Sequence, residues 1–159
     1  MRQVFVGRQP ILDKANRKFG YELLFRASGS ADRNTATDGD ATTAQVLTRA
    51  STDIGLDELI GDKIGFINLS KHYLENPDLV MVLPQSRVHL EVLEDVPPTP
   101  NVIAGVRRLV DAGYTIVLDD FVPWGITASL REYASIVKYE YGAMSDVELR
   151  QEIENDHAA

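Results

Sequence analysis

The stretch Val88-His89-Leu90-Glu91-Val92 decides the fold. Apolar Val88, Leu90 and Val92 share one face of a strand, and the period-two alternation of side chains puts His89 and Glu91 on the other. Glu91 therefore points away from the helices that cover the apolar face. The same alternation sets Glu22 against Tyr21, Leu23 and Phe25, Asn68 against Ile67 and Leu69, and Lys138 against Val137 and Tyr139. Each strand carries a polar residue late in its length on the face opposite the helices, the pattern of a (β/α) barrel whose site gathers at the C-terminal strand ends.

Outward from this stretch, Gln3 to Leu12 and Lys18 to Arg26 read as an antiparallel β-hairpin joined by Asp13-Lys14-Ala15-Asn16-Arg17. A polar stretch from Ser28 to Asp40 precedes a helix expected from Ala41 to Ile54. Ala44, Leu47, Ala50 and Ile54 recur there at helical spacing, with Asp40 as N-cap and Gly55 as the terminating residue. From Ile64 the pattern alternates: strand Ile64–Ser70, a short helix Lys71–Glu75, strand Val88–Leu93, helix Asn101–Ala112 stopped by Gly113, strand Tyr114–Asp119, a helix near Ala128–Tyr133, and strand Ser135–Glu140. Such a chain of parallel crossovers is an α/β architecture. Ser145-Asp146-Val147-Glu148 reads as a capping box opening a last helix. No repeat, low-complexity tract or linker divides the chain, so residues 1–159 are expected to form one domain.

Composition bounds the function. The 159 residues are 44% hydrophobic and 25% charged and contain no cysteine, which excludes a disulfide scaffold and a Cys-ligated zinc module. Sixteen Lys and Arg against 24 Asp and Glu give a net charge of −8, and no basic cluster exceeds a pair such as Arg107-Arg108. DNA or general nucleic-acid binding, which neutralises phosphates with concentrated positive charge, is disfavoured. No apolar run approaches the roughly 20 residues of a membrane helix, and the N-terminus lacks a signal-peptide hydrophobic stretch, so a cytoplasmic location without membrane insertion is expected.

Glu22, Asn68, Glu91, Asp119 and Asp120 are oxygen donors, and Lys138 is the one cation among them. Hard divalent cations such as Mg²⁺ or Mn²⁺ prefer this donor set. Two ions a few Å apart serve phosphodiester hydrolysis, with Lys138 orienting the nucleophile or offsetting negative charge. Carboxylates at strand ends also cap helices or face water, and that alternative stays open at this stage. His72, His89 and His157 show no paired ligand spacing and read as ordinary surface or interior histidines. Phe121, Trp124 and Tyr133 read as core.

At these residues the chain resembles the EAL family of cyclic di-GMP phosphodiesterases. Gly20-Tyr21-Glu22-Leu23-Leu24-Phe25-Arg26 is similar to the family's signature segment, and Gln9-Pro10-Ile11 to the motif before it. Ile67-Asn68-Leu69-Ser70, Leu90-Glu91-Val92-Leu93-Glu94, Leu118-Asp119-Asp120-Phe121 and Val137-Lys138 follow in the family's order. The resemblance spans residues 3 to about 140. It implies an incomplete TIM-like (β/α) barrel of EAL type, opening with the hairpin. It also implies that Glu22, Asn68, Glu91 and Asp119 are metal ligands, that Asp120 belongs to the metal and water site, that Lys138 assists the water, and that Gln9 and Arg26 contact cyclic di-GMP. Gly39-Asp40-Ala41-Thr42 and Leu90 to Val96 are similar to the subgroup in which an EAL domain precedes an HDOD domain.

Three departures set the functional expectation. Val122-Pro123-Trp124-Gly125 stands where active members carry a glycine-threonine-glycine-tyrosine loop, and Leu93 replaces a threonine. Roughly 20 residues follow Lys138, too few for the last units of a barrel that runs to ~250 residues. The expectation is a degenerate EAL domain in signalling, a nucleotide-binding or protein-interaction module with little or no hydrolysis. The alternatives are a weak Mg- or Mn-dependent phosphodiesterase completed by another chain or a longer native protein, and an interaction domain without nucleotide binding. An open barrel edge near Ser135–Glu140 is expected to self-associate or dock a protein partner.

Overall fold

A computed structural model describes residues 4–27, 43–44 and 53–158. Strands β1 (Val4–Leu12) and β2 (Lys18–Ala27) pair antiparallel, and β3 (Ile64–Leu69), β4 (Val88–Val92), β5 (Thr115–Phe121) and β6 (Ile136–Tyr139) follow, each parallel to its neighbour. Among the described residues the sheet has six strands in strictly sequential order, so it curves as a half-barrel opened by a hairpin. The hairpin turn closes as its sequence directs. The Asp13 carboxylate accepts hydrogen bonds from the backbone N–H groups of Ala15 and Arg17, and Asn16 takes a left-handed φ of 58°.

Between the strands lie α1 (Asp53–Ile60), α2 (Lys71–Glu75) and α3 (Pro100–Asp111), with short 3₁₀ helices at Pro77–Leu79 and Ile126–Tyr133; α4 (Asp146–Ala158) follows β6. The apolar strand residues expected to face the helices do so. Leu23, Ile67, Leu69, Leu90, Val92, Ile116 and Leu118 form one buried cluster with Leu56 and Ile60 of α1, Leu74 of α2, and Val102, Val106 and Leu109 of α3. Helix α3 starts on Thr99, whose hydroxyl accepts from the Val102 N–H at 3.3 Å, with Pro100 at its first position. Inside it, Gly105 lets α2 approach: a Cβ there would lie 1.7 Å from the Leu74 carbonyl oxygen. A mid-helix glycine costs about 1 kcal/mol, but the burial of Val102, Val106 and Leu109 contributes roughly 2 kcal/mol each, so packing decides the matter.

Three expectations need correction. Gly55 does not end a helix: α1 runs through it to Ile60, and Gly61, at φ +62°, is the left-handed terminator. Leu56 and Ile60 are the reason, since both are buried and outweigh the helix penalty of one glycine. Thr43 and Ala44 are helical as expected, whereas Asp40 and residues 45–52 lie outside the described residues. The segment expected as a helix near Ala128–Tyr133 is a 3₁₀ helix from Ile126, whose period of three puts buried Thr127, buried Leu130 and half-buried Tyr133 on one face. Trp124 is not core: it is 65% exposed at a turn where Gly125 N–H donates to the Val122 carbonyl, whereas Phe121 is buried.

The capping box forms as predicted. Glu148 N–H donates to Ser145 Oγ at 3.3 Å, and Ser145 N–H donates to Glu148 Oε2 at 2.9 Å. Helix α4 buries little of itself, with Val147 77% exposed. Its C-terminal turn is held by Asp156, which accepts from the Tyr139 hydroxyl at 2.7 Å and pairs with Arg131.

Candidate functional site

The site is built by strand register. Glu22 on β2 lies level with Phe66, and Phe66 with His89; one rung higher, Asn68 pairs Glu91, and Glu91 pairs Val117. Val117 pairs Ile136, so Asp119 and Lys138 stand a further rung up. The polar residues thus climb from β2 to β6, as strand tilt in a barrel requires, and only the reach of the long Glu22 and Lys138 side chains brings them together.

They do converge. Lys138 Nζ lies 2.8 Å from Glu91 Oε1, 3.3 Å from Glu22 Oε2 and 2.5 Å from Asp119 Oδ1. Asn68 Nδ2 donates to Glu22 Oε1 at 3.3 Å, and the Thr43 hydroxyl donates to the Asn68 backbone carbonyl at 3.2 Å. One carboxylate oxygen from each of Glu22, Glu91 and Asp119 falls within a 4.8 Å group. Glu91 has no exposed surface.

Three carboxylates around one ammonium leave an excess of negative charge in a protected place. Burial raises the Glu91 pKa to about 7; the hydrogen bond and charge of Lys138 oppose the rise, and the charges of Asp119 and Glu22 add to it. For Lys138, burial acts to lower the pKa, but hydrogen bonds to Asp119 and Glu91 outweigh it and hold the amine above its ordinary value as a firm cation. Two buried acceptors, Glu91 Oε2 and Asn68 Oδ1, have no hydrogen-bond partner among the described residues. Orphaned acceptors beside a ring of carboxylates are the observation that fits a hard divalent cation, because each lacks the donor that a purely structural cluster would supply.

Asp120 stays outside this group: it is exposed, with a left-handed φ of 42°, where the β5–β6 register is interrupted between Leu118 and Phe121. The irregular backbone at this point turns consecutive aspartates in different directions. Gln9 is exposed on β1 directly opposite Glu22, and Arg26 lies on β2 opposite Phe5. His72 and His157 are exposed, as expected of surface histidines.

Below the carboxylates the structure shows an aromatic floor that motif matching does not point to. The rings of Phe66 and His89 lie 4.9 Å apart and those of Phe19 and His89 6.1 Å apart, and burial lowers the His89 pKa. Its signal was strand parity alone, since His89 and Glu91 are two residues apart on one face. The Thr43 contact had no sequence signal, being set by a neighbour 25 positions away.

No protein-family model matches the chain. Over 93% of its length it is 31% identical to the uncharacterized protein YuxH of Bacillus subtilis, and over 91% it is 32% identical to the cyclic di-GMP phosphodiesterase CdgJ of Vibrio cholerae. It spans 37% and 33% of those two proteins, about a third of each. Among solved structures, an EAL domain protein from Listeria monocytogenes superposes with a TM-score of 0.69 at 19% identity, covering 98% of this chain and 74% of that one. A standalone EAL protein from Vibrio cholerae in a form with bound cyclic di-GMP gives 0.63 at 19% identity, covering 99% and 76%. The ordered motifs are similar to those of EAL-domain proteins, and the half-barrel on which they sit has the fold of their solved structures.

Proposed function

We propose that this chain is a degenerate EAL domain that binds one divalent cation and a cyclic dinucleotide for signalling in the cytoplasm, with little or no hydrolysis. The carrying observation is the split between Asp119, inside the carboxylate group, and Asp120, exposed outside it. Phosphodiester hydrolysis of the expected kind uses two ions a few Å apart. The donors for one are assembled, and the loop Val122 to Gly125 that follows Asp120 lacks the family's usual sequence.

Glu22, Glu91 and Asp119, with Asn68 Oδ1, would hold Mg²⁺ or Mn²⁺, which supplies Lewis-acid polarisation of a phosphoryl oxygen when bound. Glu91 is the rigid member, since it has no exposed surface. Gln9, opposite Glu22, and Arg26, further along β2, provide polar groups for the dinucleotide. Lys138 would offset phosphate charge or orient a water. The barrel edge supports a second part of this reading: β6 has only β5 as a strand neighbour among the described residues and is half-buried throughout. A second copy or a protein partner would cover it, burying about 1,000 Å² or more in total if specific.

A second reading, a weak phosphodiesterase completed by another chain or a longer protein, is favoured by the presence of Glu22, Asn68, Glu91, Asp119, Asp120 and Lys138 together. Calorimetry and a hydrolysis assay with cyclic di-GMP and Mn²⁺ separate the two. Binding no tighter than about micromolar, with turnover far below ~1 s⁻¹, supports the module. Turnover at ~1 s⁻¹ that is lost in Glu22→Ala establishes the enzyme, and no binding at all leaves an interaction domain.

A further inference from the structure

We infer that Lys138 is an internal cation that occupies the metal position, so that a divalent ion enters only as the Lys138 ammonium leaves. The inference rests on the cation site proposed above. An ammonium has three N–H donors, and here three carboxylates surround it: Asp119 at 2.5 Å, Glu91 at 2.8 Å and Glu22 at 3.3 Å. The same three residues offer carboxylate oxygens within 4.8 Å of one another, and Nζ lies against one oxygen of each. A cation coordinated by the same oxygens at roughly 2.0–2.6 Å would press against a like charge at contact distance. The two occupants exclude each other.

The structure also indicates which partner moves. Glu91 has no exposed side-chain surface, whereas the Lys138 side chain is 30% exposed. Lys138 stands on β6, which has only β5 as a strand neighbour among the described residues, and its flexible stem has a route to solvent. Charge gives the exchange its direction. Counted with all three carboxylates ionised, the state that a metal ion requires, the cluster keeps two negative charges beside the ammonium and one beside a divalent ion. The ion therefore compensates the cluster better than the lysine that keeps its place. Lys138 is in this sense a positioning residue: it holds Glu22, Glu91 and Asp119 together without metal and sets the affinity with which metal replaces it.

The test is a calorimetric titration of the chain with Mn²⁺ alone, comparing wild type with Lys138→Met and with Lys138→Gln, the second kept in case the first does not fold. Thermal melts in chelator run alongside. We expect the uncharged variants to bind Mn²⁺ at least about tenfold more tightly, since a competing positive charge is gone. We also expect them to melt lower than wild type in chelator, with the gap closing in saturating Mn²⁺. Binding by the variants where wild type shows none gives the same support. Equal or weaker binding by a folded variant overturns the inference and leaves the cation site standing. Absence of binding by wild type and both variants removes the cation site and the inference with it.

Discussion

Lys138 Nζ donates to Glu91 Oε1 at 2.8 Å across 47 positions of sequence, joining an edge strand to a carboxylate with no exposed surface. The bond crosses β5 and ties the last strand to the middle of the sheet. Much of what can be tested about this protein turns on that pair and on the groups that surround it.

The pair carries a pH dependence. The folded pKa of Glu91 is raised to about 7 from an ordinary 4.5, so the folded state binds this proton more tightly than the unfolded chain. Its contribution to stability is fully present below the unfolded value and is lost as pH rises through about 7. In chelator, the difference in unfolding free energy between wild type and Glu91→Gln should fall between those limits, by an amount on the order of 3 kcal/mol. Urea denaturation at several pH values measures it, and a difference that is flat or rises with pH contradicts the assignment.

Gly105→Ala sets two effects against each other. Helix propensity favours alanine by about 1 kcal/mol. Its Cβ, however, would meet the Leu74 carbonyl oxygen at 1.7 Å, and neither backbone yields cheaply. Destabilisation of about 3 kcal/mol is expected, at the upper end for overpacking, and should show as a lowered urea midpoint. A stabilised variant would mean that α2 and α3 do not approach in this way.

Trp124 is the chain's one tryptophan and is 65% exposed. Its emission should be that of an indole in water, open to quenching by iodide, and Trp124→Ala should change stability by no more than ~0.5 kcal/mol. A blue-shifted, protected emission would return it to the core.

Asp156 bridges Tyr139 and Arg131 and fastens a helix that otherwise buries little. Asp156→Ala should speed hydrogen exchange across Asp146–Ala158 while the global unfolding midpoint stays within a few degrees. Unchanged exchange would show that α4 is held by something else.

Much of the architecture is local and was legible in the sequence. Alternation in Val88–Val92 put Glu91 on the inner face because a strand has a period of two whatever surrounds it. The hairpin turn at Asp13–Arg17 and the Ser145–Glu148 box formed where expected, since each rests on hydrogen bonds between residues no more than four positions apart. The EAL-like motifs are legible in order for the same reason: a motif is a local string.

What the tertiary structure alone decided is everything that depends on distant partners. Gly55 reads as a stop, yet Leu56 and Ile60 bury against the sheet and carry α1 on to Gly61. Trp124 reads as core, yet the turn at Val122–Gly125 turns it out to solvent. Asp119 and Asp120 are indistinguishable as a doublet, and only the interrupted register at the end of β5 separates them. The meeting of Lys138 with Glu22 spans 116 positions and exists only because five parallel-running strands tilt those side chains to one height. Chemistry is written residue by residue along the chain, but the electrostatics of a buried site arises from charges that only the folded sheet brings within a few ångströms of one another.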